Sequence, residues 1–377
     1  MRIAMDISIQ DTPYLTGVER VQRNILRELA RIDTDNEYVL VSRRPINFPF
    51  ELPENFRCFD LEDQNPTYLW RERLLPPLFR KEKIDLYHSP VSAIPVLGKL
   101  PKVATVHELP WLERKPNEPV RSGHRVWLFL NTRYAQKIIA VSHRTRDNIL
   151  ALYPKAEEKV VVVHHGVEER FSDPFEGPAR RRFLKGFGIP DRACFLFVGT
   201  LRRKKNLRAL LEAYAGLSAT LRSKHPLVLA GVRNVAFHDL DQKVDELGLR
   251  EEVFFPGYVS DEDQVAFYHH ALALVYPSLF EGFGLPPLEA MAAGTPVITS
   301  HGGAIPEVVG DAASLVDPSD TPSFTALLRQ AATDPAWREE RIQKGHERVK
   351  DFTWRRAALA HLDVWQSAVG PALQAAP

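Results

Sequence analysis

Cysteine is almost absent: Cys58 and Cys194 are the only two in 377 residues, each beside apolar or aromatic neighbours. No Cys-x-x-Cys pair and no Cys/His cluster occurs, which excludes a disulfide framework and a zinc site of ordinary spacing and points to a reducing compartment. Long apolar runs are missing too. None approaches the roughly 18 residues that a spanning helix requires, so any membrane contact is expected to be peripheral. The opening Met-Arg-Ile-Ala-Met-Asp reads as a strand without an apolar signal region, so the expectation is a cytoplasmic protein with no signal peptide. Net charge is also small, +1, which removes the global basicity of many nucleic-acid binders but not a local basic face. No Gly-x-Gly-x-x-Gly follows Ile7, so the fingerprint of a dinucleotide-binding dehydrogenase is lacking. Internal repeats and low-complexity tracts are absent.

What is present is a globular composition, 44% hydrophobic and 26% charged, on a chain whose length suits two domains. Strand patterns at 2–7, 37–41, 56–59, 85–88, 102–107, 138–141 and 159–164 alternate with helical ones. Val18, Val21, Ile25, Leu26, Leu29 and Ile32 recur at helical spacing, and a second amphipathic helix runs over about 120–136. Charge and breakers accumulate around 167–190, the best linker. A second alternation follows, with strands at 195–198, 226–230, 253–255, 271–276 and 296–299. Its helices are at 206–217, 242–247, 261–270 and 323–332, before a final one at 355–369. Such alternation implies two α/β domains, each a parallel sheet covered on both faces.

The segment from Tyr276 to Ile298 carries the most chemistry. It reads as a strand, a loop with Gly282 and Gly284 around Phe283, a helix beginning at Pro286 or Pro287, and a strand opened by Gly294-Thr-Pro. Proline suits a first helical turn, and a glycine loop running into a helix N-terminus is an anion site that fits a diphosphate. Glu281 and Glu289 bracket the loop with seven residues between them. Glu281 lies at the carboxyl end of a strand and Glu289 in the first helical turn, where the two could accept hydrogen bonds from hydroxyls of a transferred sugar and a ribose. Taken singly, they fit equally a solvated loop residue and a favourable charge at a helix N-terminus.

As a whole string this segment resembles the signature of glycosyltransferase family 4, two glutamates flanking Gly-Phe-Gly. The resemblance extends over nearly the whole chain. Val198-Gly199-Thr200-Leu-Arg-Arg203-Lys204-Lys205-Asn-Leu is similar to the family's first strand-loop of the C-terminal domain, which makes Lys205 the phosphate-binding lysine. Most relatives carry arginine directly after the glycine; Thr200 stands here instead, so Arg203 or Lys204 is left to supply the second cation. Leu229-Ala-Gly231 and Phe255-Pro-Gly-Tyr258-Val259 resemble later strand ends, with Tyr258 and Val259 flanking the base and Leu285 closing the donor loop. In the N-terminal half, Thr16-Gly17-Val18-Glu19-Arg20 is a partial match to the loop that closes on the diphosphate. Val103-Ala-Thr-Val-His107 resembles the strand ending in a histidine beside the sugar. Val163-His164-His165-Gly-Val fits where relatives often have Asn-Gly-Val, and implies structural histidines near a hinge.

The resemblance implies a GT-B fold. Its two Rossmann-like domains, with parallel sheets facing a central cleft, would be an acceptor-side domain over 1–170 and a nucleotide-sugar domain over 171–354. The segment 355–377 would rejoin the first as a helix packed back on it. The implied activity is retaining transfer of a hexose, mannose or rhamnose, from a nucleotide diphosphate sugar to a glycan or lipid-linked glycan in surface polysaccharide or lipopolysaccharide synthesis. A UDP-sugar transferase, an epimerase of the same fold and a non-catalytic sugar-nucleotide binder are the alternatives. No cofactor or metal is expected, because Asp239-Leu-Asp241 and Asp261-Glu-Asp263 open helices rather than forming a metal-binding loop. Six Lys/Arg and no acidic residue over 120–146, and five basic against two acidic over 71–83, suggest contact with an anionic membrane at its cytoplasmic face. An amphipathic core helix with a solvated basic face would read the same way. No nucleic-acid partner is expected.

Overall fold

Near-continuous apolar runs such as Ile3-Ala-Met and Phe195-Leu-Phe-Val have no polar face to offer water, so they are stable only in a sheet covered on both sides. The computed structural model shows two such sheets. It describes residues 1–10, 15, 17–62, 69–109, 111–112, 122–173, 186–232 and 237–370. The chain divides into one unit formed by Met1–Gly166 with Trp354–Pro377 and another formed by Val167–Thr353. Among the described residues no helix is long and apolar enough to cross a membrane.

In the first unit the strands are β1 (Arg2–Asp6), β2 (Glu37–Ser42), β3 (Phe56–Asp60), β4 (Leu86–Ser89), β5 (Lys102–Val106), β6 (Lys137–Ala140) and β7 (Val160–Val162), ordered β3-β2-β1-β4-β5-β6-β7 and all parallel. Its helices are α1 (Gly17–Ile32), α2 (Leu69–Lys81), α3 (Ser122–Tyr134) and α4 (His143–Leu152). Ser142 caps α4, its Oγ accepting from the Thr145 amide at 3.0 Å. The last helix, Trp354–Val369, packs on α1 and on β4, β5 and β6. Its Trp365 is fully buried, with its ring 6.2 Å from Tyr38 and 5.5 Å from His88.

Two helices here depart from the sequence expectation. The pattern gave no helix over 69–81, because Pro76 and Pro77 lie inside it and proline removes a donor and disfavours a helix interior. The run at 71–83 is also less of a basic surface than its composition suggests. Arg71 is buried, donating from Nε and Nη2 to Asp6 Oδ2 at 2.9 and 2.6 Å. Glu72 accepts from the Leu97 amide at 3.1 Å. The helix α4 was likewise unmarked, since only Thr145, Asn148 and Ile149 are buried on it and no apolar stripe forms.

The second unit has β8 (Cys194–Val198), β9 (Leu227–Ala230), β10 (Val253–Gly257), β11 (Ala271–Tyr276), β12 (Val297–Ser300) and β13 (Ser314–Val316), ordered β10-β9-β8-β11-β12-β13 and again all parallel. Its helices are α5 (Leu207–Ala215), α6 (Ala219–Lys224), α7 (Phe237–Glu246), α8 (Asp261–His270), α9 (Leu285–Ala292), α10 (Ile305–Val309), α11 (Thr321–Thr333) and α12 (Pro335–Val349). The expectation of two α/β domains with parallel sheets is borne out. In each sheet the strand order reverses beside the first strand, between β1 and β4 and between β8 and β11. Ligands of open parallel sheets bind at the carboxyl ends of strands at such a reversal.

Candidate active site

At the reversal in the second unit, the loop after β8 carries Gly199 to Lys205 and the loop after β11 carries Pro277 to Gly284. Lys205 ends a short 3-10 turn and is buried, with Nζ 2.5 Å from Glu281 Oε1. The same ammonium donates to the Tyr276 hydroxyl and lies over that ring, 4.7 Å from its centroid. Tyr276 Oη in turn donates to Glu281 Oε1 at 3.2 Å, and Ser278 Oγ donates to that oxygen as well. Lys204 Nζ stands 4.0 Å from Glu281 Oε2. Arg203 is exposed and turns to Asp239 at 3.4 Å. Of the two cations left open by Thr200, Lys204 is the one beside Glu281.

Burial pushes the Glu281 carboxyl up, but the charges of Lys205 and Lys204 and hydrogen bonds from Lys205 and Ser278 overcome it, holding the group below the usual carboxylate range. The carboxylate is therefore ionised at neutral pH. Burial, and next the neighbouring Glu281 charge, push the Tyr276 phenol well above its ordinary value, so it stays a donor.

The loop following Glu281 is buried through Gly282, Phe283 and Gly284. Gly284 caps α9, which begins at Leu285 with Pro286 and Pro287 in its first turn. That start is one residue earlier than the prolines suggested. Glu289 is consequently the fifth helical residue and opens the second turn instead of lying in the first. It is buried and accepts from Tyr268 Oη at 2.7 Å. The strand ends recognised at Gly199 and Gly231 lie against each other. A Cβ on Gly231, at φ +148°, would sit 1.9 Å from the Gly199 carbonyl oxygen. Tyr258 and Val259 directly follow β10, and the Gly231 amide donates to the Gly257 carbonyl at 2.8 Å.

Three contributors went unseen in the sequence: Tyr276, Ser278 and the pair Gly302-Gly303. The glycine pair follows β12 and supports the Glu281 loop from beneath. A Cβ on Gly303 would lie 2.2 Å from the Glu281 carbonyl oxygen, and the Ala304 amide donates to that oxygen at 2.8 Å. Two adjacent glycines after a strand were the available signal.

Gly17 and His107 belong to the first unit. Gly17 is exposed at the start of α1. His107 follows β5, and its Nε2 lies 2.8 Å from the Pro90 carbonyl oxygen. A carbonyl can only accept, so Nε2 carries the proton and the neutral ring presents Nδ1 as an acceptor. Burial holds His107 below its ordinary pKa against the opposing Pro90 bond and the charges of Glu108 and Glu19. Its ring neighbours His165 at 5.6 Å, and His165 stacks on Trp354 at 6.0 Å. His88 and His361, 5.6 Å apart, complete the lining of a cavity of about 20 Å³ walled otherwise by side chains such as Met5, Val21 and Ile139.

Residues 15–171 match the family described as Glycosyltransferase Family 4, and residues 180–348 match Glycosyl transferases group 1. O-antigen chain mannosyltransferase B of Escherichia coli is 32% identical over 374 residues, covering 93% of this chain and 96% of that protein. The chain belongs to glycosyltransferase family 4. It is thus a glycosyltransferase, and its fold is GT-B. WaaG, a glycosyltransferase involved in lipopolysaccharide biosynthesis, superposes with a TM-score of 0.75 at 17% identity, covering 97% of this chain and 99% of WaaG. Anabaena HepE in complex with UDP and glucose superposes with a TM-score of 0.76 at 17% identity, covering 97% and 100%.

Proposed function

We propose that this family 4 enzyme is a retaining hexosyltransferase that moves mannose from GDP-mannose to a glycan or lipid-linked glycan in surface polysaccharide synthesis. The observation that carries the reading is the charged cluster at the strand reversal of the second unit: Lys205 and Lys204 around Glu281, beside the N-terminus of α9. The two ammonium groups and the helix N-terminus suit a diphosphate, whose charge grows as the sugar leaves. The reading assigns the sugar hydroxyls to Glu281, the ribose to Glu289, and the base to Tyr258 and Val259. In the first unit it assigns the diphosphate to Gly17 and the transferred sugar to His107, whose neutral ring offers Nδ1.

In the reaction, the bond from the anomeric carbon to the diphosphate oxygen breaks and a bond to the acceptor oxygen forms on the same face. The acceptor proton passes to the departing diphosphate, so no protein nucleophile is required, in contrast to a retaining glycosidase. The reading calls for no metal, since Lys205, Lys204 and the helix N-terminus supply the compensating charge. Mannose is favoured by the O-antigen mannosyltransferase relative. A uridine donor is the second reading, favoured by the similar fold that holds UDP and glucose.

Thermal unfolding with GDP, UDP, ADP and dTDP and their sugars tests the donor. At about 100 times its dissociation constant the true donor stabilises by about 2.7 kcal/mol. A response to uridine nucleotides alone would move the assignment to the second reading, and no response to any would sink both.

The reading also includes attachment to the cytoplasmic face of an anionic membrane. On α3, Arg125, Val126, Phe129 and Arg133 are exposed together, an apolar and basic surface of the kind that lies on anionic lipid.

A further inference from the structure

The three donors on Glu281 all converge on one of its two oxygens. Oε1 receives Lys205 Nζ at 2.5 Å, Tyr276 Oη at 3.2 Å, and the Ser278 hydroxyl. Oε2 receives no hydrogen bond from the described residues, and Lys204 Nζ stands 4.0 Å from it. An ionised carboxylate offers about four lone-pair directions, so this distribution leaves the accepting capacity of the group on one side. Glu281 is also held from its backbone. The Ala304 amide takes its carbonyl oxygen, Gly303 leaves no room for the loop to sink, and Ser300 Oγ donates to the Ser278 carbonyl.

From this geometry we propose that Tyr276 and Ser278 are positioning residues that commit Glu281 Oε1 to the protein, so that Glu281 meets the donor sugar's hydroxyl through Oε2 alone. The proposal rests on the reading of Glu281 as the sugar-contacting carboxylate and goes beyond it in naming the oxygen and the side chains that select it. Without the two hydroxyls the carboxylate keeps Lys205 but can rotate about its terminal torsion, and either oxygen then faces the sugar in an unfixed direction. Loss of the Ser278 hydroxyl also raises the carboxyl's pKa, since its hydrogen bond stabilises the charged form.

The test compares the full-length wild type with Tyr276→Phe, Ser278→Ala, the double variant and Glu281→Gln, each titrated calorimetrically with GDP and with GDP-mannose. The expected result is a loss that falls on the sugar: GDP-mannose weakens about tenfold relative to GDP in the double variant and as strongly in Glu281→Gln, the scale of one lost charge-assisted hydrogen bond, while Ser278→Ala, whose hydroxyl bonds Glu281 and not Lys205, leaves GDP affinity unchanged. The GDP-mannose affinity of Ser278→Ala should also fall away at a higher pH on the acid side than that of wild type. Unaltered GDP-mannose affinity in the double variant would overturn the proposal. So would an equal loss for GDP and GDP-mannose, which marks a merely structural role. Running UDP and UDP-glucose in parallel keeps the donor assignment separate: a wild type that prefers the uridine pair overturns only that choice, and the variants are then judged on that pair.

Discussion

Burial disfavours a charged carboxylate unless a cation or hydrogen-bond donors compensate, and Lys205 is the first such partner of Glu281. The two residues therefore depend on each other. Lys205→Ala should lower the turnover number by about 10²–10³, because it removes a charge aimed at the developing diphosphate and frees Glu281 to take up a proton. Initial rates at saturating donor measure this, and a rate within about threefold of wild type would refute the role. Unlike Ser278→Ala, this variant should also bind free GDP more weakly. At this scale the sequence was partly legible. Lys205 and Glu281 stood out because each sits at a fixed offset from a glycine turn in a long motif, and the structure brings them within hydrogen-bond reach. Tyr276 and Ser278 did not, because Tyr276 reads as the end of an apolar strand and Ser278 as a loop residue. Their hydroxyls acquire meaning only when β8 and β11 lie side by side.

Among the elements, most strands and the best-patterned helices were read closely, but β13, α6 and α10 were not expected, and α7 begins at Phe237 where the pattern had placed a start at 242. β11 and α8 have the expected bounds, since Ser260 caps α8 through the Asp263 amide at 3.1 Å and α8 runs directly into the strand Ala271–Tyr276. Two of the missed helices have separate physical reasons. α2 carries two internal prolines, and only Trp337 and Gly345 are buried on α12, so no apolar period marks it. The helix α3 was expected over about 120–136 and is described over Ser122–Tyr134; Arg121 lies outside the described residues. Val126 and Phe129, exposed beside Arg125 and Arg133, are the observation on which the proposed contact with lipid rests. Reversing charge at Arg125 and Arg133 should release the protein from anionic vesicles in a co-sedimentation assay, and neutral vesicles should bind weakly throughout. Co-sedimentation unaffected by the two reversals would remove membrane attachment through α3.

Over the whole molecule, acid should act on the first unit before the second. His88, His107 and His165 all have depressed pKa values, chiefly from burial, and His361 is lowered to about 4 for the same reason. The unfolded chain then binds protons below about pH 6.5 that the folded chain refuses, so stability falls as pH drops from there toward the folded values. Each histidine that stays neutral costs about 1.4 kcal/mol per pH unit in that window. Glu281, lowered in the fold, loses its contribution only below the ordinary carboxylate range. Melting curves from pH 7.5 to 5 should show the falling midpoint, and His361→Gln should make it shallower. An equal slope in that variant would remove the histidine cluster as the cause. The last helix, with Trp365 sealed among Tyr38 and His88, has a consequence for the nascent polypeptide. Everything from Val167 to Thr353 leaves the ribosome before that tryptophan does, so the second unit can mature while the half begun first still waits for the final stretch of translation to cover its sheet.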